Sequence, residues 1–375
     1  MAGVSVGFFI AESGLEVALV EAEATLAHHT TGRSAAQFLE NYGDETVRRM
    51  SVAGRSFFAD PPEQFCDSAL WSNRPRMRVA GPDMVDTFKA ETIEEQKLVP
   101  STTFLDASET MKLLPVMRPD LVACGVIEPN AMELDVAAIH QLFVRGIRHH
   151  GGSIDVSKAA RTIERSGSTW LVTAGNETIE CDLVVNAAGA WGDPVARMAG
   201  VKPIGLHPLR RTAFIARIDS NHDTDHWPLT DFETASDGMV LYCKPESGGL
   251  LVSPGDETPS EPCDAKPEEL DIAMAIDQLN TWTTLDVRSV ASSWAGLRTF
   301  TANRSLVAGF APDADGFFWL TGHGGYGIQT APGLGRTAAS IITSGDVPHD
   351  VASLDVSALD LSAGRSEISG DLISH

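Results

Sequence analysis

The order of apolar and polar positions predicts an α/β chain. Residues 1–14 place small residues along one side of a helical period, and Gly14 supplies a C-terminal stop. Residues 15–21 form a short apolar run ending in Glu21, the pattern of a buried strand tipped by an acid. A helix followed by such a strand is the second half of a βαβ unit. The small, polar stretch 30–37 predicts a turn that leads into a helix, with a loop near Asn41 to Gly43. Residues 70–79 predict a strand, 83–99 a charged helix, and 134–150 an amphipathic helix stopped by Gly151 and Gly152. Strands are expected at 169–173 and 179–186, the second running into Ala187-Ala-Gly-Ala-Trp191 and a helix. Residues 209–260 alternate with Gly/Pro turns, as in an antiparallel sheet, and 268–280 predict a helix. Residues 316–342 read as a strand, a glycine-rich turn and a helix, and the last dozen residues as a loose tail.

Composition narrows the classes. A chain of 375 residues has room for two domain-sized units. The net charge of −23 opposes binding to a phosphate backbone, so no nucleic-acid partner is expected. No apolar run approaches the ~20 residues of a membrane span. No basic region precedes the opening apolar stretch, so no secretory signal is expected. Cys66, Cys124, Cys181, Cys243 and Cys263 are scattered and include no C-x-x-C pair, which speaks for packing residues in a reducing cytoplasm. His222 and His226, with Asp223 and Asp225, have the spacing of metal ligands, but a solvated loop explains them as well; no metal is expected.

The chemistry-bearing features are turns. A dinucleotide site needs glycines near the pyrophosphate, a helix N-terminus facing it, and an acid for the ribose hydroxyls. Glu21 supplies the acid, and Gly3 fits the last glycine of G-x-G-x-x-G, with the first strand and first two glycines falling before Met1. Three further small-residue turns, 30–37, 186–191 and 322–329, are spread along the chain. One flavin dinucleotide needs several separated loops, because its pyrophosphate, adenosine and ring ends each want one.

Eight collinear stretches carry a family resemblance: Thr31-Gly-Arg-Ser-Ala-Ala36, Tyr42-Gly43, Asn186-Ala-Ala-Gly-Ala-Trp191, Arg210-Arg211, Tyr242 with Lys244-Pro245, Pro267-Glu-Glu-Leu-Asp-Ile-Ala273, Trp294-Ala-Gly-Leu-Arg298 and Gly324-Gly-Tyr-Gly-Ile-Gln-Thr330. On these the chain resembles the D-amino acid oxidase superfamily of flavoproteins, and within it the bacterial D-arginine dehydrogenases. The resemblance implies a Rossmann-like FAD-binding domain, its first strand truncated, from 1–73, 137–208 and 294–361. It also implies an inserted antiparallel-sheet substrate domain from 74–136 and 209–293, with 362–375 as the tail. It implies FAD contacts from Gly3, Glu21, Ala22, Ala159, Ala188 and Gly189. It adds Thr30, Thr31, Gly32, Arg33, Ser34, Ala35, Ala36 and Gln37, and Gly324, Gly325, Tyr326, Gly327, Ile328 and Gln329 against the isoalloxazine.

For the substrate, the resemblance implies that Arg298 and Tyr242 grip the α-carboxylate, that Arg211 lines the pocket, and that Tyr42 rides a closing loop. Simpler roles compete: an arginine paired with an acid at a domain interface, a packed tyrosine, a loop anchor. Arg76 stands where the D-arginine enzymes carry a glutamate, so basic substrates should be repelled if it faces the pocket. Gln37 replaces a family histidine, which removes an imidazole base, and His323 replaces a glutamine. The implied reaction moves a hydride from Cα of a D-amino acid or related small amine to flavin N5. The imino acid hydrolyses, and the electrons pass to oxygen or another acceptor. Alternatives are oxidation of a secondary amine or 2-hydroxy acid, or a protein without bound flavin. A monomer or weak dimer is expected.

Overall fold

The computed structural model describes residues 1–219 and 221–373. The chain opens with the helix Ala2–Glu12, ended by Gly14 in the left-handed region at φ +87°. The strand Ala18–Val20 follows and pairs in parallel with Ser153–Asp155. A second small sheet joins Val184–Asn186, Phe317–Thr321 and Val307–Phe310, the first two in parallel. Helices Ala2–Glu12, Glu45–Ala59, Val136–His149 and Ala331–Ser344 pack beside these sheets. Glycine lets two of the contacts close. A Cβ on Gly335 would lie 2.8 Å from Ser5 Oγ, and one on Gly146 would lie 2.2 Å from the Phe8 ring. Gly3 differs, because a Cβ there would meet Leu19 and Ala187 only at ordinary distances of 3.6 and 3.7 Å. Phe8, Phe318 and Leu320 are buried here, at about 1.5–3 kcal/mol each.

The other half is a nine-stranded sheet. It runs from Thr258–Pro259 through His207–Ala216, Gly249–Ser253, Gly238–Glu246, Leu229–Thr234, Arg76–Ala80 and Cys124–Glu128 to Thr103–Asp106, and Val290–Phe300 pairs with His207–Ala216. The pairing is antiparallel except between Leu229–Thr234 and Arg76–Ala80, where the two inserted segments meet in parallel. Strand alternation divides the faces. Leu241 and Cys243 join Phe214, Val252 and Phe232 under the helix Glu269–Trp282. Tyr242 points the other way with Ile215, Leu229 and Leu251, toward Ala35 and Trp294. That second face meets the dinucleotide-type half.

Several expectations shift. The turn after Thr30 leads into a short strand, Gln37–Phe38, and the helix starts only at Glu45, capped by Asp44. The strand expected over 70–79 breaks at Pro75, which has no N–H for a ladder. The strand expected over 179–186 is two, Glu177–Cys181 in a meander and Val184–Asn186 in the parallel sheet. The strand Val290–Phe300 of the nine-stranded sheet runs across the domain boundary expected between 293 and 294, so Arg298 rides on that sheet. The tail is not loose as far as Ile373. Ile368 is buried, its carbonyl accepts from Ala302 N, and Ile373 N donates to Ala302 O. Among the described residues, no helix is long and apolar enough to cross a membrane.

Candidate functional site

A cavity lies where the sheet face meets the parallel strands. Three segments distant in sequence build its long wall. The turn 30–35 contributes Thr30, Thr31, Arg33, Ser34 and Ala35; the turn after Val184–Asn186 contributes Ala187, Gly189 and Ala190; the turn after Phe317–Thr321 contributes Gly322 to Gly325, Gly327 and Ile328. Met1 and Ala2 bring the N-terminal end of the opening helix to the same space. That end carries unsatisfied N–H groups and favours anions. Gly189 and Gly324 have φ of +56° and +45°, and a Cβ on Gly324 would strike the Phe300 ring at 2.3 Å. Glycine at 324 therefore lets the backbone curve over that ring.

The turn 30–33 is bolted to the substrate strand. Thr30 Oγ1 donates to Leu297 O at 2.7 Å, Trp294 Nε1 donates to Arg33 O at 2.9 Å, and Arg33 Nη1 donates to Ala295 O at 2.9 Å. A Cβ on Gly296 would meet Thr30 Cα at an ordinary 3.5 Å, so these bonds rather than a missing side chain hold the turn. Glu21, Ala22 and Ala159 come together beyond the cavity wall: Lys158 N donates to Glu21 O, and Glu21 Oε1 accepts from Glu23 N.

The opposite end is cationic and phenolic. Arg211, Tyr242 and Arg298 line it. Arg298 Nη1 lies 3.3 Å from the Tyr42 hydroxyl, and Nη2 lies 3.4 Å from that of Tyr242. Both contacts are long, and among the described residues no carboxylate pairs with Arg298. Arg211 is engaged: its Nε donates to Asp256 O at 2.8 Å and its Nη2 to Glu257 Oε1 at 3.0 Å. Burial, then the nearby Arg298 charge, lowers the Arg211 pKa. His323 also lines the cavity, and burial pulls its pKa down to about 4, so its ring is neutral near neutral pH.

Other predicted residues stand behind the wall. Gln329 is buried and spends its amide on structure. Its Oε1 accepts from Leu39 N at 3.2 Å, and its Nε2 donates to Leu39 O and to Ser51 Oγ at 2.9 and 2.7 Å. It thereby clamps the strap that carries Tyr42. Glu128 Oε1 holds the next residue by accepting from Glu40 N at 2.8 Å, and Asn41 bonds Thr102. Tyr326 lies between the Tyr42 and Phe300 rings and donates its hydroxyl to Arg304 O. Gly3, Gly32, Ala36, Gln37 and Ala188 do not line the cavity either. Gln37 Nε2 donates to Arg74 O at 2.6 Å. Arg76 does not line the cavity: it is half-buried against Asp231, with Nη2 2.6 Å from Oδ2. A partner 155 residues away neutralises it, which the sequence did not reveal. Ala213, Gly296, Leu297 and Thr299 were missed. Ala213 and Gly296 share strand parity with Arg211 and Arg298, whereas Leu297 and Thr299 have the opposite parity and alternation carries no signal for them.

The family model described as DAO, FAD-dependent oxidoreductase, matches residues 1–341. FAD-dependent oxidoreductase domain-containing protein 1 of Xenopus laevis is 26% identical over 189 residues, which is 45% of this chain and 36% of that protein. The chain thus matches little more than a third of that relative's length. Glycine oxidase of Bacillus licheniformis is 23% identical over 263 residues, 68% of this chain and 67% of that one. The fold is shared with L-proline dehydrogenase from P. horikoshii, at TM-score 0.81 and 18% identity, over 92% of this chain and 91% of that one.

Proposed function

The chain belongs to the FAD-dependent oxidoreductase family, with FAD as its cofactor, and from that premise we propose that it oxidatively deaminates a small D-amino acid or a related small amine whose side chain is not strongly basic. The residues present fit FAD. The glycine, alanine and hydroxyl wall is bare enough for a flat ring and a pyrophosphate, and the helix end at Met1 and Ala2 suits the phosphate charge. When bound, FAD supplies the hydride acceptor at N5.

The chain's own residues then set the substrate. Arg298 carries the proposal: a guanidinium fork at the cavity wall, flanked by two hydroxyls and lacking a carboxylate partner among the described residues. A planar fork of this kind matches a carboxylate bidentately. Tyr242 lines the cavity beside the fork and can share that carboxylate, while Tyr42, outside the lining, contacts Arg298 Nη1 and is steadied by the Gln329 clamp. Arg211 and Arg298 together disfavour a cationic side chain, and this replaces Arg76 as the reason for excluding basic substrates. Neutral His323 adds no third charge.

A second reading, a secondary amine as substrate, is favoured by the shared fold with a protein named for L-proline. The test offers FAD-loaded protein D- and L-amino acids, N-methylglycine and 2-hydroxy acids, and follows 2-oxo acid and ammonia. Neutral D-amino acids should be turned over best. Efficient turnover of D-arginine would remove the side-chain exclusion, and turnover of 2-hydroxy acids alone would overturn the proposal.

A further inference from the structure

Glu257 belongs to none of the turns or motifs discussed so far and does not line the cavity, yet it bonds Arg211, which does. It sits in the loop between the strands Gly249–Ser253 and Thr258–Pro259. Gly255 makes the bend at φ +71°. Asp256 then pins the loop to the neighbouring strand: its Oδ1 accepts from Thr212 N at 2.6 Å and its Oδ2 from Thr212 Oγ1 at 2.9 Å. This delivers Glu257 to Arg211, the residue before Thr212. Glu257 Oε1 accepts from Arg211 Nη2 at 3.0 Å and from Arg304 Nη1 at 3.2 Å, and its Oε2 accepts from Arg304 Nη2 at 2.5 Å. Arg304 in turn lies over the Phe300 ring, and its carbonyl takes the Tyr326 hydroxyl. One carboxylate therefore ties a cavity arginine to the packing beneath the glycine-rich turn.

The two cavity arginines are thus unequal. Arg211 has Nε and Nη2 committed to the 256–257 loop, whereas among the described residues Arg298 hydrogen-bonds only two phenol oxygens, at 3.3 and 3.4 Å. We propose that Glu257 is a selectivity residue: by engaging Arg211 it leaves Arg298 to take the ligand's carboxylate, and it matches the cavity to ligands with one carboxylate over those with two. This rests on the reading of Arg298 as the carboxylate-binding residue. The physical reason is that Glu257 offsets part of the Arg211 charge and takes its Nη2 donor, so a second anionic group gains less there than it would from an unengaged arginine. Glu257 acts through Arg211 and is a positioning residue.

The experiment titrates the FAD-loaded protein with propionate and with succinate by calorimetry. The wild-type protein should bind propionate about tenfold more tightly. In Glu257→Gln the preference should move toward succinate by about tenfold, through tighter succinate binding, with propionate changed by less than about threefold. Glu257→Asp keeps the charge and should keep the wild-type preference. A wild-type protein that prefers succinate overturns the proposal without any variant, as does an unchanged ratio in Glu257→Gln. Arg298→Met separates the two levels: if it binds propionate as tightly as the wild type, the reading of Arg298 fails, whatever Glu257 does.

Discussion

Replacing Arg298 by Met should cost catalysis heavily and stability little. The guanidinium is held at the cavity wall by two contacts near the outer limit of a hydrogen bond, and the described carboxylates that favour its charge, Glu257 and Asp256, do so without an ion pair or hydrogen bond to it. Its folded-state partners are therefore weak, and methionine fills much of the same volume. The melting temperature should stay within roughly 3 °C, because removing a poorly compensated cation relieves desolvation about as much as it loses contact. Substrate binding is another matter. Two charge-assisted bonds to a carboxylate at about 1.5–3 kcal/mol each give about 3–6 kcal/mol, or a fall in kcat/KM of roughly 10²–10⁴. Arg298→Lys keeps the charge but loses the fork, so its loss should be about 10–100-fold. Steady-state kinetics and thermal melts on the same preparations decide. A variant whose kcat/KM stays within about fivefold, or whose melting temperature falls by roughly 8 °C or more, would show a structural ion-pair arginine and refute the reasoning.

Three further outcomes follow from the geometry. Gln329→Ala strands the buried Leu39 N–H, while the Leu39 carbonyl keeps Tyr42 N and the Ser51 hydroxyl keeps Val47 O; it should destabilise the protein by about 1–3 kcal/mol and raise KM as the Tyr42 strap loosens, measured by urea titration and kinetics. Gly325→Ala places a Cβ 2.6 Å from the Tyr42 hydroxyl and 2.8 Å from Arg298 Nη1, so propionate affinity should drop while flavin content holds, read by calorimetry and absorbance. His323 has its folded pKa lowered to about 4 from an ordinary 6.5, so the neutral ring's contribution is complete above about pH 6.5 and is lost as pH falls toward 4. Melting curves should therefore decline with acid more steeply in the wild type than in His323→Gln, by about 1 kcal/mol for this partly buried ring; parallel curves would contradict the assignment.

The sequence made the local chemistry legible and the long-range pairing opaque. The turns at 30–35, 187–190 and 322–328 were readable because runs of small residues mark close backbone turns, whether a strand or a helix follows, and all three converge on one cavity. Arg211, Tyr242 and Arg298 were found through the resemblance, and strand alternation aims them correctly. Gln329 was assigned to the cofactor because it neighbours those glycines. Its amide instead holds Leu39, 290 residues away in sequence, and no local pattern carries that information. Arg76 was given a role in repelling substrate on the strength of its charge, but Asp231 on the adjoining strand absorbs that charge. Pro75 and the break at 182–183 split expected strands because a ladder partner, more than apolar content, decides where a strand ends.

The most direct test is anaerobic mixing of the FAD-loaded protein with a neutral D-amino acid, followed at the oxidised-flavin absorbance band. The band should bleach on mixing, with one equivalent of 2-oxo acid appearing per flavin, and Arg298→Met should bleach far more slowly at the same flavin content. A flavin that dithionite reduces but no amino acid or amine does would contradict the account.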